Sequence, residues 1–152
     1  MSNKEPIVQR FDEKLVNFYL EELYPQADLL YRLSFILTLN LDLARKCLDT
    51  VYQEITNDLA MVTNNGEIAK LILIKTCWRA FKKLGVSSMK VGQSPIALTF
   101  EGMSIEERAA VGMVDVMGLS VDEAKGVLEI EEGVLRKNLA AGRQHLVARY
   151  KV

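Results

Sequence analysis

A group of cationic and amide side chains near the carboxyl end of the chain has the chemistry that proteins use to contact DNA. Arg136, Lys137 and Arg143 can pair with backbone phosphates, and the amides of Asn138 and Gln144 lie beside them. Residues 130–152 contain five Lys or Arg against two Asp or Glu, although the whole chain has a net charge of −1. A local basic excess is typical of a DNA-contacting face. The pattern predicts DNA contact here, with an ordinary solvated helix surface as the open alternative.

The residue patterns that enzymes use for catalysis are missing from the sequence. His145 is the only histidine, and no Ser, Cys or carboxylate stands at motif spacing from it. The chain has no Gly-rich phosphate loop, no cluster of metal ligands and no nucleophile motif. Cys47 and Cys77 each lie in a helical apolar pattern without the paired spacing of a metal site, so we expect both in the core. We expect no enzymatic activity, no cofactor and no small-molecule substrate.

Two helix starts can be recognised before this basic region. Ser104-Ile105-Glu106-Glu107 and Ser120-Val121-Asp122-Glu123 are capping boxes, in which the Ser accepts a backbone N–H and the last Glu reaches back to the cap. Gly118 stands between them, where a residue just past a helix end is expected. The three predicted helices form a helix-turn-helix, which usually contacts DNA through its last helix. That helix is expected from about Glu132, with an apolar stripe of Leu135, Leu139, Gly142 and Leu146.

The rest of the chain shows helical apolar periodicity in four segments, expected at about residues 11–24, 26–39, 41–55 and 67–84. Pro25 is expected to end the first of them. Residues 85–102 break the pattern with Ser, Gly and Pro, although the apolar residues 96–100 are expected to pack on a neighbouring helical unit. The sequence therefore predicts an all-α protein with two small helical domains. Their expected bounds are 1–84 for a helical bundle, 85–103 for the linker and 104–152 for the helix-turn-helix.

Composition restricts the class of protein. Hydrophobic residues make up 49% and charged residues 26% of the chain, which is ordinary for a globular protein. No apolar run is long enough to cross a bilayer, and the N-terminus does not have the pattern of a signal peptide. We expect a cytoplasmic protein without a membrane partner.

The order of these elements resembles the extracytoplasmic-function sigma factors of bacterial RNA polymerase. Residues 30–38, Leu-Tyr-Arg-Leu-Ser-Phe-Ile-Leu-Thr, and the following residues 40–55 resemble region 2 of that family. Residues 103–146 resemble region 4, with Gly-Leu-Ser-Val-Asp-Glu at 118–123 and Gly-Val-Leu-Arg-Lys-Asn-Leu at 133–139. The resemblance implies a two-part, sigma-like regulator of transcription initiation. Its implied partners are RNA polymerase core or an anti-sigma factor, together with promoter DNA.

The resemblance also implies a partner-binding face on the helix that begins near residue 41. In the family this helix carries an Asp-x-x-Gln-Glu surface that grips the clamp helices of core polymerase. Aligned on Ala44, the corresponding positions here are Lys46, Asp49 and Thr50. A charge reversal within a complementary interface lowers the association rate and the affinity, so we expect weakened clamp binding. The partner-binding residues are expected to be Arg45, Lys46, Asp49, Thr50 and Gln53.

Region 4 departs from the family pattern as well. Glu129 replaces the turn Gly, and Val134 replaces the Thr that normally begins the recognition helix. Three carboxylates, Glu129, Glu131 and Glu132, stand where a phosphate would lie. They suit the helix dipole but repel the phosphate that a helix N-terminus would otherwise attract. We expect reduced DNA affinity.

Three functions fit these observations. The first is a divergent sigma factor that still binds polymerase and promoters. The second is a sigma mimic that sequesters an anti-sigma factor or another protein without binding DNA. The third is a stand-alone helix-turn-helix regulator, which is expected to need a dimerisation helix, and no segment after the recognition helix supplies one.

Overall fold

The computed structural model describes residues 16–17, 19–57, 66–84 and 95–150. Regular structure within these residues is entirely helical, which confirms the predicted all-α class. A π-helical turn (Tyr19–Leu23) and a 3-10 turn (Tyr24–Gln26) come before the first of the α-helices named below. A second π-helical turn (Gly112–Val116) follows the fifth of those α-helices without a break. The helices of the described chain are α1 (Ala27–Thr38), α2 (Leu41–Asn57), α3 (Gly66–Lys83), α4 (Pro95–Phe100), α5 (Ile105–Val111), α6 (Val121–Leu128) and α7 (Glu132–Tyr150).

The chain remains helical at Pro25, although the sequence predicted that a helix ends there. Pro25 lies at the start of the 3-10 helical segment, where its missing N–H removes no hydrogen bond. Leu23 is fully buried just before it, and its carbonyl accepts a 2.8 Å hydrogen bond from the Tyr52 hydroxyl of α2. The segment therefore leads directly into α1 and is held against α2. The earlier part of the predicted helix, residues 11–15, lies outside the described residues.

A tight reversal between α1 and α2 decides which side of α2 faces solvent. Leu39 is buried and adopts the left-handed conformation, with a φ of 53°. The side-chain oxygen of Asn40 then accepts a hydrogen bond of 3.1 Å from the backbone N–H of Leu43, which caps the start of α2. The reversal turns the apolar stripe of α2 toward α1 and α3. The buried residues of that stripe are Ala44, Cys47, Val51 and Ile55.

Both predicted capping boxes are confirmed. The hydroxyl of Ser104 accepts the N–H of Glu107, and the Glu107 carboxylate accepts the N–H of Ser104, at 3.1 and 2.8 Å. Ser120 and Glu123 form the same pair at 3.1 and 3.0 Å. Gly118 has a φ of +73°, the left-handed conformation that glycine adopts without steric cost. The predicted helix end, turn and new helix start between α5 and α6 are therefore present.

A continuous hydrophobic core runs through both predicted halves of the chain. α5 and the π-helical turn Gly112–Val116 pack on α1, and α6 packs on α3. The two halves are therefore packed together, and the division at residues 85–103 stays a prediction. The core contains Leu33, Leu37, Leu73 and Phe81 from the first half and Ala110, Met113, Val127 and Leu135 from the second.

The predicted linker contains a short helix, α4. Its Ala97 is fully buried, and it packs with Phe35 of α1 and Ala44 of α2, with Phe100 partly buried beside them. The expectation that residues 96–100 pack on a helical unit is confirmed for Ala97 and Phe100, because those two side chains help to cover the α1–α2 reversal. Among the described helices, none has the length and apolarity to cross a membrane.

Candidate functional site

The predicted DNA-binding residues lie on α7, and the packing of that helix determines which of them reach solvent. Leu135, Leu139 and Gly142 are buried, as the predicted apolar stripe requires, and Leu146 is partly buried. Gly142 lies close to α5: a Cβ there would approach Val111 Cγ2 to 2.7 Å and the Glu107 carbonyl oxygen to 3.2 Å. This contact fixes the rotation of α7. The exposed DNA-binding candidates are Arg136, Lys137, Arg143 and Gln144, while Asn138 is half-buried.

Both arginines of this candidate face are bound to carboxylates. Arg143 donates two hydrogen bonds to Asp115 of the π-helical turn, at 3.0 and 2.7 Å. The pKa of Arg143 is raised, first by its hydrogen bond to Asp115. Arg136 donates a 2.9 Å hydrogen bond to Glu132, one turn earlier on α7. A phosphate has to displace or share these carboxylates, so the two arginines offer less to DNA than their charge suggests.

Lys137 and Gln144 remain as candidates without such competition. Both are exposed, and within the described residues no hydrogen bond or ion pair engages either side chain. The three carboxylates between the end of α6 and the first residue of α7, Glu129, Glu131 and Glu132, are exposed as well. Glu129 has a φ of 55° at the C-cap of α6, so it occupies the left-handed position that the resemblance assigns to Gly. Among its described side chains, the face therefore combines one unpaired cation, Lys137, with an acidic border.

The predicted partner-binding residues form one surface of α2. Arg45, Lys46, Asp49 and Gln53 are exposed on the side opposite the buried stripe. Thr50 is half-buried, and its hydroxyl donates a 2.9 Å hydrogen bond to the Lys46 carbonyl oxygen of its own helix. These side chains lie together on one face of the helix. This surface and the α7 face are carried by different helices, so each can be altered separately.

The basic end of α3 forms local contacts. Lys82 lies with its Nζ 5.5 Å from the centre of the Trp78 ring, and Lys83 forms an exposed 3.9 Å ion pair with Glu54. Trp78 stacks on Phe81 with ring centres 5.6 Å apart and packs against the core. Both lysines lie in the last turn of α3, where the helix dipole favours cations, and Trp78 is a partly buried core residue.

Two long-range side-chain contacts were not foreseen from the sequence. Asp115 neutralises Arg143 across 28 residues, and Arg108 binds carbonyl oxygens more than 70 residues away. No local spacing signals either contact, because both depend on how α5 and its π-helical turn pack on α1 and α7. Among the described residues, no group of His, Cys, Asp and Glu could hold a metal ion.

Comparison with known proteins gives no match: no family model, curated protein or solved structure is similar enough to the chain to assign it to a family.

Proposed function

We propose that the chain is a divergent, sigma-factor-like regulator of bacterial transcription initiation that acts mainly through protein contact. The observation that carries the proposal is the pairing of Arg136 and Arg143 with carboxylates on the face that would otherwise read DNA. The mixed-charge surface of α2 that we propose for partner binding is exposed at the same time. The proposed partner is RNA polymerase core or an anti-sigma factor.

Electrostatics supports protein contact over DNA contact. Affinity for DNA arises largely from the phosphates that a protein neutralises, and each paired arginine contributes less to that sum. The bidentate pair of Arg143 with Asp115 is the geometry that arginine and carboxylate favour. The exposed carboxylates Glu129 and Glu131 also repel a phosphate near the start of α7. A protein surface can instead complement both signs of charge.

A charge-restoring variant tests the polymerase contact. Replacing Lys46→Asp, Asp49→Gln and Thr50→Glu together restores the charge pattern that the resemblance implies for α2. Affinity of the full chain for bacterial core polymerase, measured by fluorescence anisotropy, is expected to rise about tenfold, because complementary charges lower the dissociation constant. Lys125→Asp makes the same change in net charge on α6 and is expected to leave the affinity unchanged. An unchanged affinity of the triple variant would contradict the sigma-like placement of α2.

Promoter DNA contact is a second candidate function, favoured by the exposed and unpaired Lys137. Asp115→Asn weakens the bond that holds Arg143, so it is expected to increase DNA affinity at low salt and to steepen its salt dependence. Lys137→Ala is expected to lower the DNA affinity and to make its salt dependence less steep. If neither variant alters DNA binding in an anisotropy titration, the α7 face does not contact DNA. The chain is then a mimic that acts only on proteins.

A further inference from the structure

We propose that the groove where α1 meets the π-helical turn Gly112–Val116 binds a small amphipathic monocarboxylate, a molecule with an apolar chain or ring and one carboxylate. This inference goes beyond the proposed function and does not depend on it. The groove has a volume of about 620 Å³, within the range of small-molecule sites, roughly 300–1,000 Å³. Its apolar lining is formed by Tyr31, Phe35, Ile36, Leu41, Phe100 and Val116.

The lining is apolar where a solvent-facing surface is usually polar. Three aromatic rings contribute to it, and Leu41 at its edge is 50% exposed. Apolar area that stays in contact with water carries a free-energy cost that a bound apolar group removes. The groove therefore has a lining suited to a hydrocarbon chain or an aromatic ring.

The charges of the groove select an anion. It is lined by one basic and one acidic side chain, Arg32 and Asp115. Asp115 is already neutralised by two hydrogen bonds from Arg143. Arg32 is exposed, and in the described part of the chain no hydrogen bond or ion pair engages it. A guanidinium presents a planar pair of N–H groups that matches a carboxylate, so an amphipathic acid can satisfy Arg32 while its tail covers the apolar lining.

Because of where the groove lies, a bound ligand would stabilise the packed arrangement of the two halves. Tyr31, Phe35 and Ile36 belong to α1, whereas Val116 follows α5 and lies in the second half of the chain. A molecule in the groove touches both halves at once. Because it binds the packed arrangement and not the separated or unfolded chain, it stabilises that arrangement by mass action.

The test uses decanoate, below its micelle concentration, as the probe and decanol as the uncharged control. Isothermal titration of the full chain is expected to show decanoate binding more tightly than decanol, and decanoate is expected to raise the melting temperature. Arg32→Gln is expected to weaken decanoate binding about tenfold, because the charged hydrogen bond is lost, and to leave decanol binding unchanged. Arg79→Gln removes the same charge from an exposed position on α3 and is expected to leave both affinities unchanged.

A second pair of variants tests the apolar lining. Leu41→Glu places a carboxylate at the edge of the groove and is expected to abolish decanoate binding. Leu98→Glu makes the same change at another exposed leucine, outside the lining, and is expected to have no effect. Circular dichroism establishes that each variant is folded. The proposal is overturned if decanoate does not bind, or if folded Arg32→Gln and Leu41→Glu bind it as tightly as the wild type.

Discussion

Arg108 joins two segments that are far apart in the sequence. Its side chain is buried, with 8% exposure, and its guanidinium donates hydrogen bonds of 2.8, 2.9 and 2.8 Å to the carbonyl oxygens of Ile36, Leu37 and Met103. Ile36 and Leu37 lie in the last turn of α1, where carbonyl groups lack helical partners and the helix dipole favours a cation. Burial lowers the pKa of Arg108, because the charged form loses its hydration. The side chain therefore caps α1 from the opposite half of the chain.

Replacing Arg108→Met is expected to reduce the free energy of unfolding by about 3 kcal/mol, because buried carbonyl groups lose their charged donor. Urea denaturation measures the change. Arg79→Met, which removes an exposed arginine from α3, is the control and is expected to alter stability by less than about 0.5 kcal/mol. Equal effects of the two variants would contradict a structural role for the Arg108 hydrogen bonds.

The two cysteines are expected to be inert while the protein is folded. Burial raises the pKa of Cys47 to about 11 and that of Cys77 to about 12, from an ordinary value of 9.0. The 3.2 Å contact of Cys77 with Ser34 opposes this rise without cancelling it. The thiolate is the reactive form, so neither thiol is expected to react with Ellman's reagent at pH 8 until the chain unfolds.

The same shifts give stability a pH dependence. The folded state retains the thiol protons above pH 9, where the unfolded chain releases them. The stabilisation is therefore complete below about pH 9 and declines as the pH rises toward 11 and 12. The urea midpoint is expected to decrease over this window, and to decrease less in a variant that combines Cys47→Ala with Cys77→Ala. Rapid labelling of the native protein at pH 8 would show that the thiols are not buried.

At the scale of helices, two glycines with opposite surroundings show how packing differs between α6 and α7. Gly142 of α7 lies against α5, where an added Cβ would meet Val111 Cγ2 at 2.7 Å and Met103 Cε at 3.0 Å. At Gly126 of α6, an added Cβ would have no atom of another helix or loop within 4 Å. Both lie inside helices, so alanine has the same intrinsic advantage at each. Their environments alone make the difference.

Gly126→Ala is expected to raise the free energy of unfolding by about 0.5–1 kcal/mol, because alanine loses less backbone entropy in a helix. Gly142→Ala is expected to lower it by about 1–3 kcal/mol, because the methyl group forces α7 away from α5. Thermal and urea unfolding of the two variants measure both values. A stabilising Gly142→Ala would mean that α5 and α7 are not in close contact.

At the scale of the whole molecule, the continuous core couples the unfolding of the two halves. A Cβ added to Gly112 would lie 2.7 Å from the Cδ1 atom of Leu33. The surface of α1 and the π-helical turn are therefore in close contact. α6 also packs on α3. Neither half buries its apolar surface without the other, which favours a single cooperative unit.

The chain is therefore expected to unfold in one transition. The fluorescence of Trp78, the only tryptophan, reports on the first half. Hydrogen exchange of the α5 and α7 amides reports on the second. The two measurements are expected to give the same midpoint and the same free energy of unfolding, because loss of the shared core exposes both halves together. Two separate midpoints would instead favour the independent domains that the sequence predicted.

Local signals in the sequence determined the helical elements well. The capping boxes at Ser104 and Ser120 and the glycine at Gly118 specified helix ends, because capping depends on hydrogen bonds within a few residues. The apolar periodicity around Leu135 and Leu139 specified which side of α7 is buried, because helical spacing is also local. Pro25 does not interrupt the helical segment, because a proline in the first turn of a helical segment is tolerated.

The tertiary structure decided the properties that bear on function. Arg143 was predicted as a DNA contact from its residue type, but its pairing with Asp115 depends on the packing of α7 beside the π-helical turn. Arg108 shows no local sign of burial, and its partners at Ile36 and Leu37 follow from the docking of α5 on α1. The groove above α1 exists only because both halves meet there. Caps and periodicity act over neighbouring residues, whereas charge pairing and grooves depend on atoms that only the fold brings together.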